Sequence, residues 1–409
     1  MKVIKEGKVP IKMWVTDIER EALNQARNLS NLPFIHRHVA LMPDCHLGYG
    51  MPIGGVIATE GVIIPNAIGL DIGCGLIATK TNLKTEELTT EMLKSIMGEI
   101  RKVVPVGFKH HEKAQDESLM PKVYNMKGLF IDLQFKEDYP ISYREYSSAL
   151  TQIGTLGGGN HFIEIQKGDD GFIWIMIHSG SRNIGYKVAK HYNDLAKKLN
   201  KKWNSEVPPS WDLAFLPLDT DEAKDYMKEM NYCVEFALAN RKLMMDNIKK
   251  IFVNKVEEEY GKLQTHPKYY FTEEINIAHN YATMENHFGK NVMVHRKGAT
   301  KATEGLKGII PGSQGTSSYI VEGLGNKESF NSCSHGAGRK MGRNVARKTL
   351  NLEEEKKNLE DKGILHSIRS TSELDEAPGA YKNIDVVMGN QKDLVKILVK
   401  LEPLGVIKG

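Results

Sequence analysis

Phe172-Ile-Trp-Ile-Met-Ile-His178 is an apolar run that stops abruptly at Ser179-Gly-Ser-Arg182. Its length and its β-branched and aromatic content predict a strand, and the glycine-bounded stop places His178 at the strand's end, where chemistry can reach it. A helix is predicted immediately downstream, over residues 186–199. Just upstream, Gly154-Thr-Leu-Gly-Gly-Gly-Asn160-His161-Phe-Ile-Glu164 reads as a tight turn before a strand. Its glycines permit close backbone approach to a ligand, and Asn160, His161 and Glu164 bring polar groups to the same place.

Working outward, residues 3–81 alternate short apolar segments with Gly/Pro-rich turns, as in Met51-Pro-Ile-Gly-Gly-Val-Ile-Ala-Thr59 and Val62-Ile-Ile-Pro65. Strands and tight loops are expected there, with a helix near residues 16–29. Thr85, followed by Glu86 and Glu87, reads as the N-cap of a helix continued by Leu88, Met92, Ile96 and Ile100. Over residues 220–262, Tyr226, Met230, Val234, Leu238, Met245, Ile248 and Phe252 recur at helical spacing and predict the longest helical region, whose role is packing rather than catalysis. Strands and glycine-rich loops return over residues 273–335, and mixed structure follows to Gly409. No internal repeat, low-complexity tract or linker divides the chain. The expected architecture is α+β: a single large domain over residues 1–409 with mixed central sheets and a mainly helical insertion over about residues 186–262.

With 41% apolar and 26% charged residues and no apolar run near the length of a bilayer crossing, the composition is that of a soluble globular protein with no membrane partner. Met1 to Pro10 is short and charged, unlike a signal peptide. Cys45, Cys74, Cys233 and Cys333 form no CxxC pair and are too few to staple 409 residues, which points to a reducing, cytoplasmic compartment where a thiol is free to bind metal. The net charge of +4 is mild, so any anion site must be local.

Six clusters, five of them glycine-bearing, carry groups suited to chemistry. Met42-Pro-Asp44-Cys-His46-Leu-Gly-Tyr-Gly50 precedes Gly69-Leu-Asp71-Ile-Gly-Cys74-Gly75, in which a carboxylate and a thiolate can turn toward one metal. Alone, such a pair is more often structural, as is a single histidine at His161, at His178 or in Glu274-Ile-Asn276-Ile-Ala-His279-Asn280-Tyr281. Three such histidines together with Asp71 and Cys74 favour a metal centre. Gly308-Ile-Ile-Pro311-Gly-Ser313-Gln-Gly315 and Ser332-Cys-Ser-His335-Gly-Ala-Gly-Arg339 offer backbone N–H groups for phosphate oxygens. A helix beginning after Gly338 would align Arg339, Arg343 and Arg347 as either a solvated basic face or a contact for phosphate or RNA backbone.

Taken in order, MPDCHLGYG, GLDIGCG, LGGGNHFIE, HSGSR, the His279-Asn280 pair, IIPGSQG, SHGAGR, EAPGAYK and Lys408 resemble the RtcB family of RNA ligases, and the resemblance covers residues 42–408. The Asp-Ile-Gly-Cys-Gly form of the first metal loop is that of bacterial members. The resemblance implies an RtcB-like fold in which one Mn²⁺ is held by Asp71, Cys74 and His161 and a second by Cys74, His178 and His279, with the thiolate bridging. It further implies that His335 accepts guanylate from GTP and that Tyr381 stacks on the base while Lys408 contacts the nucleotide. Asn160, His161, Phe162, His279, Asn280, Pro311, Gly312, Ser313, Gln314, Ser318, Gly336, Ala337 and Gly338 complete the implied guanylate site. Glu164 suits guanine selection, because a carboxylate can accept from both N1–H and the exocyclic amine, whereas adenine offers neither donor there. The implied reaction joins an RNA 3′-phosphate or 2′,3′-cyclic phosphate to a 5′-hydroxyl, in tRNA splicing or RNA repair, with an archease-like activator as a partner.

A conventional nucleotidyl ligase would carry lysine in a KxDG motif; Lys167-Gly-Asp-Asp170 comes nearest and lacks the glycine. The competing readings are a dinuclear metal-dependent RNA phosphoesterase or nuclease, which would clamp phosphate in the same way, and a nonenzymatic RNA-binding protein held by the basic face alone. Tyr49 and Cys45 stand where relatives carry lysine and valine, and Cys45 would be oxidation-sensitive if exposed.

Overall fold

In the computed structural model, which describes residues 1–121, 140–261 and 270–409, the apolar run is the strand Phe172–Ser179. Ile173, Ile175 and Ile177 enter one hydrophobic cluster and Trp174 and Met176 another, so both faces of the strand are buried and no polar alternation survives.

Strands β1 to β6 are Lys2–Ile4, Ile11–Met13, Ile35–His46, Ile53–Thr59, Val62–Ile63 and Gly75–Lys84. β7 to β12 are Phe162–Gly168, Phe172–Ser179, Leu216–Pro217, Phe271–Ala278, Asn280–His287 and Lys290–Lys297. β13 to β17 are Ala299–Lys301, Lys307–Ile310, Ser318–Gly323, Ser332–Ser334 and Val395–Lys408. Helices α1 to α5 are Arg20–Ser30, Thr90–Val103, Ile141–Arg144, Tyr146–Gln152 and Arg182–Lys202. α6 to α9 are Asp221–Tyr260, Arg343–Thr349, Leu352–Glu360 and Ile384–Gly389.

Two sheets organise these elements. One has the order β10-β6-β8-β7-β17-β15-β14 with every neighbouring pair antiparallel. The other has the order β1-β2-β3-β4-β12-β11, with β2 and β3 parallel. In the larger sheet Gly75 pairs with both Ser179 and Ala278, His178 with Leu76 and Phe162, and Phe162 with Lys408. Because neighbours run in opposite directions, the starts of β6 and β7 and the ends of β8, β10 and β17 meet at one edge. That edge gathers Cys74, His161, His178, His279 and Lys408. His279 is also the single residue between β10 and β11, which belong to different sheets, and its N–H donates to the Cys74 carbonyl at 2.8 Å.

The helices cover the sheets. α6, 40 residues long and about 60 Å from end to end, begins at Thr220, whose hydroxyl accepts the Ala223 N–H at 3.3 Å. Its first half contributes Tyr226, Met230 and Phe236 to one core cluster, and its second half packs Met244, Ile248 and Phe252 with Ile96 and Ile100 of α2. Lys262, where the sequence pattern ended, lies outside the described residues. α5 exceeds its predicted span at both ends and starts within the HSGSR segment. The predicted N-cap at Thr85 is displaced: the Glu87 carboxylate accepts the Lys84 N–H at 2.7 Å and closes a single 3₁₀ turn over Thr85–Glu87. Leu88 is extended, and Thr89 caps α2 by accepting the Met92 N–H at 3.1 Å. Among the described residues, no helix is long and apolar enough to cross a membrane.

Candidate active site

The sheet edge brings Asp71, Cys74, His161, His178 and His279 together. Ligand-capable atoms of Asp71, Cys74 and His161 lie within 4.8 Å of one another, as do those of Cys74, His178 and His279, so the sulfur belongs to both groups. Cys74 Sγ is 3.3 Å from His178 Nε2 and 3.5 Å from His161 Nε2, and Asp71 Oδ2 is 3.1 Å from His161 Nε2. The His161 tautomer follows from its other nitrogen: Nδ1 meets the Leu156 carbonyl at 2.9 Å, and a carbonyl can only accept. The Nε2 lone pair therefore faces a carboxylate and a sulfur, a set of acceptors that only a shared proton or cation reconciles. Gly157 makes this approach possible, having φ +93° and no room for a Cβ, which would fall 2.6 Å from His161 Nδ1 and 2.0 Å from the Arg182 guanidinium.

The electrostatics favour a ligand set. Burial and then the neighbouring imidazoles hold His178 and His279 well below their ordinary range, so both rings are neutral and keep a lone pair. Burial and then Asp71 push the Cys74 thiol well up, so its ionisation waits on a cation. His279 Nδ1 is buried with no hydrogen-bond partner among the described residues, an orphan that a metal ion would satisfy. Sulfur, imidazole and one carboxylate are the donors of a first-row transition cation.

His335 follows β16 and reaches across to β3. The fully buried Asp44 carboxylate accepts from the His335 backbone N–H at 3.0 Å, from His335 Nδ1 at 2.7 Å and from the Gly336 N–H at 3.2 Å. Burial alone would raise Asp44, but the charge of His335 and its hydrogen bonds hold the carboxyl below its usual value. With Nδ1 so anchored, Nε2 is the remaining nitrogen of a ring whose centroid is 4.8 Å from that of His279. Gly338, at φ +73°, lets the loop pass: a Cβ there would sit 2.2 Å from the Asp44 carbonyl oxygen. Asp44 stands in a motif the sequence reading singled out, but its role was missed because the partner lies 291 residues away.

The groups expected around a nucleotide surround the same edge. Glu164 is buried in β7, and Gln166 Nε2 donates to it at 2.6 Å and to Ser318 Oγ at 3.1 Å, which in turn accepts the Gly312 N–H at 3.1 Å. Burial pushes the Glu164 carboxyl up to about 8, against the pull of Lys408 and the Gln166 hydrogen bond. The Tyr381 hydroxyl donates to Glu376, which also faces Lys408 at 3.8 Å, and Gln314 Nε2 donates to the Glu376 carbonyl at 2.8 Å. The Lys408 ammonium lies 5.8 Å from the Phe162 ring centre. Ser313 is bound to Thr316, Gly336 packs on Pro311, and Ala337 is buried in the core beneath. Asn160 is partly exposed at this edge, whereas Asn280 ties two loops, donating to the Asp71 carbonyl at 3.0 Å and accepting the Gly298 N–H at 2.7 Å. A cavity of about 950 Å³, lined in part by Thr316, Ser317, Lys340, Tyr381 and Lys382, shares Tyr381 with these groups but is not lined by His335, Glu164 or the Cys74 cluster.

A family model described as tRNA-splicing ligase RtcB matches residues 25–409. The chain belongs to the RtcB family. It is 40% identical over 411 residues to the RNA-splicing ligase RtcB of Escherichia coli K12, covering 98% of this chain and 97% of that protein. It is also 34% identical to the tRNA-splicing ligase RtcB of Nanoarchaeum equitans, over 99% of this chain and 97% of that protein. The corresponding protein of Thermococcus kodakarensis is 32% identical over 99% of this chain and 96% of its own length.

Two expectations for this RtcB chain are corrected. The helix does not begin directly after Gly338: α7 starts at Arg343, so Arg339 precedes it and lies off its face. Nor do the arginines form an open basic face: Arg339 and Arg343 reach Glu376 at 3.1 and 3.2 Å and Arg347 reaches Asp375 at 2.8 Å. Asp375 immediately precedes EAPGAYK and Glu376 opens it, and nothing in the arginine spacing announced that pairing. Cys45 is fully buried, its thiol pushed up by burial, so it is not an exposed oxidisable group. Tyr49 is exposed, and its carbonyl accepts a hydrogen bond from the buried Lys297 at 2.6 Å.

Proposed function

We propose that this RtcB-family chain is an RNA ligase that consumes GTP, works with a pair of Mn²⁺ ions, and joins RNA 3′-phosphate or 2′,3′-cyclic phosphate ends to 5′-hydroxyl ends. The observation that carries the reading is the anchored imidazole of His335, held at Nδ1 by Asp44 and stacked edge-on against His279 of the Cys74 cluster. Asp71, Cys74 and His161 would hold one cation and Cys74, His178 and His279 the other. When bound, the pair would offset phosphate charge and make phosphorus more open to attack.

The chain's own residues account for the group transfer. His335 Nε2 attacks the α-phosphorus of GTP; an N–P bond forms, the bond to the bridging oxygen breaks, and pyrophosphate leaves. Asp44 keeps the Nδ1 proton in place and offsets the positive charge that the ring acquires. A cyclic RNA end is first opened by water to a 3′-phosphate, whose oxygen then takes guanylate from His335 and restores the neutral imidazole. The 5′-hydroxyl next attacks the activated RNA phosphorus, forming the phosphodiester and releasing GMP. Glu164, once ionised, accepts from guanine N1–H and the exocyclic amine, while Tyr381 and Lys408 hold base and phosphate from the other side. The setting is tRNA splicing or RNA repair in the cytoplasm, with an archease-like protein as activator.

The test is incubation with α-labelled GTP or ATP and Mn²⁺, followed by ligation of an RNA bearing a 2′,3′-cyclic phosphate to one bearing a 5′-hydroxyl. Label should attach covalently from GTP only, and His335→Ala should abolish both adduct and ligation. Cleavage of RNA with no protein adduct would replace the ligase by a phosphoesterase.

A further inference from the structure

Helix α6 meets the site at two adjacent residues, Asn240 and Arg241, both fully buried. Asn240 Oδ1 accepts the N–H of Gly154 at 2.7 Å and of Thr155 at 3.1 Å. Its Nδ2 donates to the Thr155 carbonyl at 3.2 Å, the Ser179 hydroxyl at 3.1 Å and the Gly180 carbonyl at 3.1 Å. The Ser179 hydroxyl in turn donates to the Leu156 carbonyl at 2.6 Å, the oxygen that also receives His161 Nδ1. Arg241 reaches the other ligands: one terminal nitrogen donates to the Gly73 carbonyl at 3.0 Å and to the Ser179 carbonyl at 2.8 Å, next to Cys74 and His178. Its Nε donates to Asn276 Oδ1 at 2.9 Å, and the Asn276 amide returns to the Leu238 carbonyl of α6 at 3.1 Å.

Simple packing does not account for this pair. A buried guanidinium is costly unless fully paired, and a well-packed apolar residue in its place is commonly as stable or more so. Here the second terminal nitrogen has no partner among the described residues, and Arg241 forms no ion pair in contact with a carboxylate among them. What the residue does touch is the backbone on either side of two ligands. Groups that hold ligands in register contribute to metal affinity without touching the metal.

We propose that Asn240 and Arg241 are positioning residues for the cation pair: Asn240 sets the His161 side, Arg241 sets the Cys74 and His178 side, and their adjacency on one rigid helix fixes the spacing between the two sites. The inference rests on the metal reading given above. It makes α6 an active part of the centre, although its periodicity marks it as scaffold.

The experiment is equilibrium titration of the metal-free full chain with Co²⁺, followed by the cysteine-to-cobalt charge-transfer absorption, with far-ultraviolet circular dichroism to verify folding. Asn240→Leu and Arg241→Met should each weaken Co²⁺ binding by about 10–100-fold, the range seen when outer partners of metal ligands are lost. Arg241→Lys keeps the charge but cannot span both carbonyls and Asn276, so it should remain at least about tenfold weaker than wild type. Ile248→Ala, a cavity two helical turns along the same helix, supplies the control: it should lower the melting temperature while leaving Co²⁺ affinity unchanged. Wild-type affinity in folded Arg241→Met or Asn240→Leu overturns the proposal, as does full recovery in Arg241→Lys, which would assign the effect to charge alone. A loss equal to that of Ile248→Ala also overturns it, by reducing the pair to general stability. If the wild type itself gives no charge-transfer band, the metal reading falls and takes this inference with it; a normal wild-type band with unaffected variants removes this inference alone.

Discussion

Two buried polar clusters in this molecule look alike by composition and differ in what they leave unmet. In the six-stranded sheet, Glu285 is held by Arg296 through two hydrogen bonds of 2.6 and 3.1 Å, by His287 at 2.9 Å and by Lys301 at 3.2 Å. Arg296 spends further donors on Ser332 and the Phe330 carbonyl, both at 2.9 Å. Burial would raise the Glu285 carboxyl, yet the hydrogen bonds from His287 and Arg296 hold it well below the usual carboxylate range. Charge and hydrogen bonds close on themselves there, and nothing is left to bind a ligand. At the edge of the seven-stranded sheet, a carboxylate, a sulfur and three imidazoles converge with lone pairs in excess and a buried His279 nitrogen orphaned. The first cluster is complete as protein. The second is complete only with something added.

That contrast can be broken at several points. The largest effect belongs to Cys74→Ala, which removes the one atom common to both ligand groups; ligation and the Co²⁺ charge-transfer band should both vanish while the fold survives, and retention of either would detach the cluster from metal. Next comes Asp44→Asn, where an amide can no longer fix the His335 tautomer. Guanylylation should fall on the order of 10⁴-fold, the scale set by the same change at an orienting carboxylate in serine proteases, with Co²⁺ affinity intact. Arg296→Met probes the self-contained cluster: removing the two-pronged partner of Glu285 while His287 and Lys301 remain should cost up to about 3 kcal/mol of stability in urea denaturation, with metal affinity per folded molecule unchanged. Equal losses of stability and metal binding would erase the distinction between the clusters.

The smallest effect is one of pH. The Glu164 carboxyl, pushed up to about 8 by burial, is mostly neutral at pH 7, yet guanine's donors need it ionised. Binding therefore releases a proton, so GTP affinity should rise with pH by up to about tenfold per unit below 8 and level off above it. Glu164→Gln should flatten that profile; an unchanged slope would place the titrating group elsewhere.

How far the molecule could be read from its sequence depended on the range of each interaction. The strand at Phe172 and the helix through Tyr226 and Ile248 are announced by local periodicity, and each stands where that periodicity put it. Asp71, Cys74, His161 and His178 drew notice because glycines lie beside them, and His279 because an asparagine pairs with it; the antiparallel order of the larger sheet brings all five to one edge. Asn240 and Arg241 gave no such signal: they fall inside a helical pattern, and their partners lie 35 to 168 residues away. The same blindness to distance made Arg339, Arg343 and Arg347 look like an open basic face, since Asp375 and Glu376 enter only through folding. Thr85 lost its cap to Thr89 because the Glu87 side chain, two residues on, captured the Lys84 N–H and closed the turn first.

His279 deserves a mechanical reading. As the single residue between β10 and β11, which belong to different sheets, it would make a bound cation pair act as a rivet at that junction, adding to the hydrogen bonds that already tie β11 to the Asp71–Cys74 loop. Loading with metal should then slow the shearing of one sheet past the other, and heat or pressure should loosen this seam before it melts either sheet.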